Sequence, residues 1–428
     1  METTAYARWF RGSTPYISAH RNKTCVVLLG GDALEHLNFT NIVHDLALLH
    51  VLGFRLVVVH GARPQIELSL SESVYHHHRR ITDEQTMALI TGVVGQIKIQ
   101  IEAMLSTGLP NSPMHNVNIP VVSGNFISAK PIGVVDGVDH LFTGAMRRAD
   151  THRIHEHLQN RDLVLISPVG FSPSGQAFNL SAEDLAAELA IALKADKLIV
   201  FDDLKHISDA HGQRVSTLTP GELQVYLNQL DPHTAHRLGH LQQAVRGGVA
   251  KAHLISFQQD GALLAELFTA EGVGTQIVEH TERGVRKARP TDVAGIVEVI
   301  RPLEESGALV RRERDRLEQE IDNFLVAELD GIVVGCCAVY PYTDKAELAC
   351  VGVHENYQSG KGIGPSLLAA AEQRARDIGA QTLFALTTQT RDWFIENGFE
   401  DATLDVLPQE KQRLYNWQRN SAVMQKPL

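Results

Sequence analysis

Residues 346–364, AELACVGVHENYQSGKGIG, join an apolar run to a turn with glycines at positions 360, 362 and 364, and a helix is expected to open at Pro365. Alternate glycines let the backbone approach a ligand closely, so consecutive N–H groups can face phosphate oxygens near the positive end of the helix dipole. The chemistry of such a turn is pyrophosphate binding. A dinucleotide fingerprint would need a further glycine where Leu367 stands, and no acidic residue follows at the spacing that holds a ribose. Glu347 lies on the strand that feeds the turn, where a carboxylate could act as a general base. Period-2 alternation puts Glu347, Ala349 and Val351 on one face and Cys350 on the other. The alternative for Glu347 is an exposed strand carboxylate.

The elements around this turn follow a recognisable order. The helix PSLLAAAEQRARDIG is succeeded by the strand QTLFALTT and by RDWFIENGFE, a short helix closed at Gly398 and Phe399. This order resembles the GNAT acetyltransferase superfamily, which implies that the strand carrying Cys350, Val351 and Val353 holds the pantetheine arm of acetyl-CoA. It also implies that Gln358, Ser359, Gly360, Lys361, Gly362, Ile363 and Gly364 hold the pyrophosphate. The superfamily usually places Arg or Gln where Ser359 stands, and Gln358 comes one residue early. Direct attack by an α-amine needs a base, because that amine is mostly protonated at neutral pH.

Upstream, TCVVLLGG, FRLVVVHG, PVVSGNF, DLVLISPVG, KLIVFDD and HLISF read as strands separated by amphipathic stretches such as SAEDLAAELAIALKAD. This alternation predicts an α/β sandwich around a largely parallel sheet. The ordered motifs VVLLGGDALEH, VVVHGARPQIE, RRITDEQT and VVSGNF resemble the amino acid kinase family, most closely the N-acetylglutamate kinases. Phosphoryl transfer needs cations over the migrating group. Leu28 and His211 stand where that family keeps two lysines, and Ala62 and Arg63 replace glycines of the turn at Gly61, so kinase activity is not expected although Asp184 survives. The spacing of His253, Glu266 and Gly272 resembles the arginine site of the arginine-inhibited kinases. That resemblance implies an L-arginine effector paired with Glu266, with Tyr16 closing over it.

Both halves in this order resemble the bacterial N-acetylglutamate synthases. The resemblance implies acetyl transfer from acetyl-CoA to L-glutamate, with Glu347 as base and Thr387 protonating the leaving thiolate. Leu309, Arg311, Cys350, Arg419 and Ser421 would hold the two carboxylates of the substrate. Read from the residues alone, Arg311 in RRERDRLEQE suits a solvated, charge-laced helix. The family is commonly hexameric, so a homo-oligomer is expected.

Length favours more than one domain, since 428 residues exceed a single ordinary core. The expected organisation is an N-terminal arm over 1–20, an amino acid kinase-like αβα sandwich over 21–280, a linker over 281–286, and a mixed-sheet GNAT domain over 287–428. The Thr291 side chain is expected to cap the first helix of the GNAT domain. No contiguous apolar stretch in the sequence approaches the length that spans a bilayer, so membrane insertion is not expected. A net charge of −11 argues against general nucleic-acid affinity. Cys25, Cys336, Cys337 and Cys350 lack CxxC spacing, and METTAYARWFRG has no secretory apolar core, which fits a reducing cytoplasm. The run His76, His77, His78 shows no partner carboxylate at ligand spacing in the sequence, so no metal is expected.

Overall fold

The computed structural model describes residues 13–14, 16–70, 72–106, 117–269, 272–279, 284–329, 332–358, 362–413 and 415–428. The chain divides into two compact units, Met1–Thr281 and Glu282–Leu428. Most of the expected N-terminal arm, Trp9 and Phe10 included, lies outside the described residues, while residues 16–20 are helical.

In unit 1 the β-branched runs pair into a sheet that has eight strands among the described residues. Their spatial order is Thr217–Leu218, Thr275–Val278, Lys251–Ser256, Lys197–Asp202, Thr24–Leu29, Arg55–His60, Leu163–Ile166 and Val121–Ser123. Pairing is parallel except between Lys251–Ser256 and Thr275–Val278. Strands such as TCVVLL are buried along their whole length because helices cover both faces. Neighbouring residues of one strand enter different cores: Val26 packs with Leu185 and Leu241, and Val27 with Leu46 and Ile90. Two tight hairpins, Tyr75–Arg80 and Val134–Asp139, lie outside this sheet.

The helix Glu84–Ser106 corrects one expectation. It has 23 residues and a window of mean hydropathy 1.3, long and apolar enough to cross a bilayer by length and composition. Gln96, Lys98, Gln100 and Glu102 break the apolar run and hid it from a reading by contiguous stretches. Its Met87, Ile90, Val94, Ile97, Ile101 and Leu105 recur at helical spacing and enter the core of unit 1.

Unit 2 holds a mixed sheet, seven-stranded among the described residues, in the order Val285–Lys287, Phe324–Leu329, Ile332–Pro341, Lys345–Val353, Thr382–Thr387, Ala422–Pro427 and Glu400–Ala402. Only the fourth and fifth of these run parallel to one another. The helices Val293–Glu305 and Ile363–Asp377 pack on the sheet, where Gly352 admits Leu303 and Gly335 admits Ile363 and Leu367. The first of these helices is preceded not by a Thr291 cap but by Asp292, which binds the Arg289 N–H at 2.6 Å and the Arg286 guanidinium at 2.7 and 3.0 Å. An ionised carboxylate makes the stronger acceptor there.

Two irregularities of the central strand Lys345–Val353 shape the site. On one side Cys336 pairs with Gly352 and Ala338 with Ala349, so Cys337 alone opposes both Cys350 and Val351. This is a β-bulge, and it turns Cys350 to φ +52°. The expected strict alternation therefore ends at Ala349. On the other side, register with Thr382–Thr387 ends at the pair Glu347 and Phe384, although both strands continue. The strands part at Glu347.

Candidate active site and effector site

Glu347 is 5% exposed at the point where the strands separate. Lys411, on the short helix Gln409–Arg413, donates from Nζ to Glu347 Oε1 at 2.9 Å and approaches Oε2 at 2.6 Å. Oε2 has no well-directed hydrogen bond despite that close cation. The Tyr342 ring packs against Phe384, and its phenol is pushed up to about 12, first by burial and then by the charge of Glu347. Sequence reasoning missed Lys411, since 64 residues separate it from Glu347 and its surroundings carry no periodic pattern. Thr387 lies three residues beyond the last paired position, roughly 10 Å along an extended strand. Its hydroxyl meets that of Thr390 at 2.9 Å and accepts the Thr390 N–H at 3.1 Å.

Arg419 gathers a second group. Its guanidinium donates to the carbonyls of Gly307 and Ala308 at 3.0 and 2.8 Å, which brings Leu309 beside the segment carrying Ser421. Tyr415 donates to the Ser421 carbonyl at 2.7 Å and fixes that segment. Arg311 is exposed and lies before the helix Arg314–Gln319 instead of on it. The charge-laced helix exists, with Arg314–Glu318 and Arg316–Glu320 pairs, but it begins three residues too late to include Arg311. Arg312 is the cation that the sequence did not single out. Its Nε is buried without a hydrogen-bond partner among the described residues, and its charge bears on Cys350 and Tyr340. The Cys350 thiol is 4% exposed and packs into the core with Ile296 and Phe324; burial pushes it up to about 11.

Of the phosphate turn, Ser359, Gly360 and Lys361 lie outside the described residues. Gly362 takes φ +60° and precedes a helix that opens at Ile363, two residues before Pro365. Only glycine adopts that conformation without strain. A side chain at Gly364 would press on Trp393, at 3.3 Å. Ile363 is 3% exposed and belongs to the core, so only its backbone faces outward chemistry. The Gln358 amide donates back to the Val353 carbonyl at 2.9 Å, which ties the turn to the end of the strand through Val351 and Val353.

In unit 1, His253, Glu266 and Gly272 come together. His253 faces Glu266 Oε1 through Nδ1 at 2.8 Å, and Glu266 Oε2 accepts the N–H groups of Val273 and Gly274 at 2.8 and 2.9 Å. Burial opposes the charge on Glu266, but the His253 hydrogen bond and these N–H groups outweigh it and hold the carboxyl down at about 2. Burial, then the Lys197 charge, also lowers His253, so the pair is an ionised carboxylate and a neutral imidazole. Lys197 Nζ lies 3.4 Å from His253 Nε2, which leaves the Nδ1 proton for Glu266. Gly272 has φ +59°, and a Cβ there would sit 2.5 Å from Glu266 Oε2. Tyr16 is half-buried; His20, one turn along, meets Phe268 on the helix that carries Glu266.

A cavity of about 840 Å³ also lies in unit 1, lined by Gly30, Gly61, Arg63, Arg79, Arg80 and Arg237 among others. It does contain cations, among them Arg63, which stands where the resembling kinases keep a glycine. Most are committed: Arg79 pairs with Asp184 at 2.7 Å, Arg80 with Glu67 at 3.3 Å and Arg237 with Asp203 at 2.9 Å. Leu28 is 4% exposed and offers nothing to a phosphoryl group. The histidine run also departs from expectation, because the two hairpins bring Asp136 within 2.7 Å of His77. His76, His77 and Asp136 place one donor atom each within 4.8 Å of one another.

Residues 23–255 match the amino acid kinase family and residues 294–395 match the acetyltransferase (GNAT) family. The molecule is thus an amino acid kinase fold carried in one chain with a GNAT acetyltransferase fold. It is 46% identical to the amino-acid acetyltransferases of Serratia proteamaculans and Yersinia pseudotuberculosis, over 99% of this chain and 98% of each relative. It also aligns with the crystal structure of N-acetylglutamate synthase from Neisseria gonorrhoeae complexed with coenzyme A and L-arginine, with a TM-score of 0.86, 34% identity and 99% coverage of both chains. The complex of that enzyme with coenzyme A and N-acetyl-glutamate aligns with a TM-score of 0.63 at 35% identity, again over 99% of both chains. The chain belongs to the amino-acid acetyltransferase family.

Proposed function

We propose that this protein transfers the acetyl group of acetyl-CoA to the α-amine of L-glutamate, and that L-arginine bound in unit 1 regulates the reaction. The observation that carries the reading is the buried carboxylate of Glu347 at the point where two parallel strands part. Strand edges released from pairing offer backbone groups to the pantetheine arm, and the turn at Gly362 offers N–H groups to its pyrophosphate. With the thioester beside Glu347, the base takes a proton from the substrate ammonium. The amine then forms the N–C bond as the C–S bond breaks. In this reading Thr387, on the other strand, returns a proton to the thiolate. Arg311, Arg312 and Arg419, near Leu309 and Ser421, supply the cations a dicarboxylic amino acid needs, and guanidinium groups bind carboxylates in a bidentate manner.

For the effector, Tyr16, His253, Glu266 and Gly272 form the arginine site, with the carboxylate kept ionised to meet a guanidinium. Four buried, unbridged cysteines suit a cytoplasmic setting, and the family resemblance favours a homo-oligomer, which we take to be a hexamer. The test is CoA release with a panel of amino acids, with and without arginine, alongside ATP turnover with N-acetylglutamate. Glutamate-specific CoA release that responds to arginine, without ATP turnover, is expected. CoA release that does not depend on glutamate rejects the reading.

A further inference from the structure

Lys411 presents a primary ammonium to both oxygens of Glu347, at 2.9 and 2.6 Å, with its side chain 29% exposed and that of Glu347 7% exposed. An acceptor about to lose a proton to Glu347 must make this same contact. The other described lysines near this part of the sheet are committed elsewhere: Lys345 donates to the Val406 carbonyl at 2.6 Å, and Lys426 to Glu372 at 2.6 Å and the Asn397 carbonyl at 2.9 Å. Lys411 is therefore held where the substrate amine belongs.

We propose that Lys411 is a self-modification site, acetylated on Nζ by the enzyme's own acetyl-CoA when no amino acid acceptor is present. The inference rests on Glu347 being the base of the transfer reaction. Glu347 takes one proton from the Lys411 ammonium, and the freed lone pair forms an N–C bond to the thioester carbonyl. The C–S bond breaks, one former N–H proton goes to the thiolate, and the products are Nζ-acetyl-Lys411, CoA and one proton released to solvent. An α-ammonium gives up its proton more readily than a lysine ammonium, so glutamate prevails whenever it is bound. Acetylation turns the ammonium into a neutral amide and leaves a buried carboxylate without this cation, which slows later turnover.

The test incubates the full-length protein with isotopically labelled acetyl-CoA, without amino acids, and maps the label by peptide mass spectrometry. Exposed Lys130, Lys194 and Lys287 report spontaneous acetylation. Proximity to the thioester predicts at least about tenfold more label on Lys411 than on any of these. Saturating glutamate is expected to suppress the Lys411 label alone, and Glu347→Gln to abolish it. Lys411→Arg, which keeps a cation on Glu347, should retain its turnover after preincubation while the unaltered enzyme loses turnover in step with the label. Label on Lys411 no greater than on the exposed lysines, or insensitive to Glu347→Gln, overturns the proposal. If Glu347→Gln slows glutamate turnover but Lys411 stays unlabelled, self-acetylation fails while the transfer reading stands. If Glu347→Gln leaves glutamate turnover unchanged, the base assignment fails and takes this inference with it.

Discussion

Glu266 in unit 1 and Glu347 in unit 2 are both buried carboxylates with a nitrogen base close by, yet their surroundings differ in kind. Glu266 spends both oxygens on groups fixed by the fold: an imidazole on a central strand and two backbone N–H groups. Glu347 is met by Lys411 on a long side chain and by the phenol of Tyr342, and one oxygen lacks a well-directed donor. A carboxylate satisfied by backbone stays ionised and stays put, which suits recognition of a cation. One satisfied by a movable ammonium can exchange that partner for a substrate amine, which suits proton transfer.

The sharpest way to break this comparison is Glu347→Gln. It should lower kcat by about a hundredfold or more with little change in the glutamate KM, as expected when a general base is lost. Steady-state CoA release checks this, and an equal effect on KM would make Glu347 a binding group instead of a base. The next largest effect concerns acid stability. The folded-state value of Glu266, about 2, lies below its ordinary value of 4.5. Its contribution is therefore complete above pH 4.5 and is lost as pH falls toward 2. Denaturant titrations of the unaltered protein and of Glu266→Gln between pH 6 and pH 3 should converge toward acid.

Gly272→Ala should destabilise unit 1 by about 2 kcal/mol and abolish the arginine response, since the methyl must both adopt a left-handed conformation and displace Glu266. A melt with and without arginine reads both effects. The smallest expected effect separates two neighbours. Arg312→Ala should raise the glutamate KM about tenfold and Arg311→Ala less, because only Arg312 combines a buried, unpartnered Nε with proximity to Cys350.

Much of this molecule was readable before folding. Continuous apolar runs such as TCVVLL marked strands covered on both faces, and GKGIG marked a turn in which Gly362 takes a positive φ while Gly364 already belongs to the helix. Less was readable where neighbours in space are distant in sequence. Arg311 and Arg312 are equivalent as letters, and only the path of the chain before the helix at Arg314 leaves Arg312 half-buried with its Nε covered and Arg311 exposed. The bulge at Cys350 was hidden because alternation presumes that each residue has one partner across the ladder.

By itself the sequence determined the two successive α/β patterns and the glycine turn at GKGIG, because periodicity and backbone demands are local properties of a chain; the changes at Leu28 and His211 and the spacing of His253, Glu266 and Gly272 gained meaning only beside a resembling family. Tertiary structure alone decided where the two strands part, which arginine has its Nε covered, and that Lys411 meets Glu347. Those outcomes depend on how segments far apart return to one another, and an ion pair across 64 residues leaves no local pattern to read.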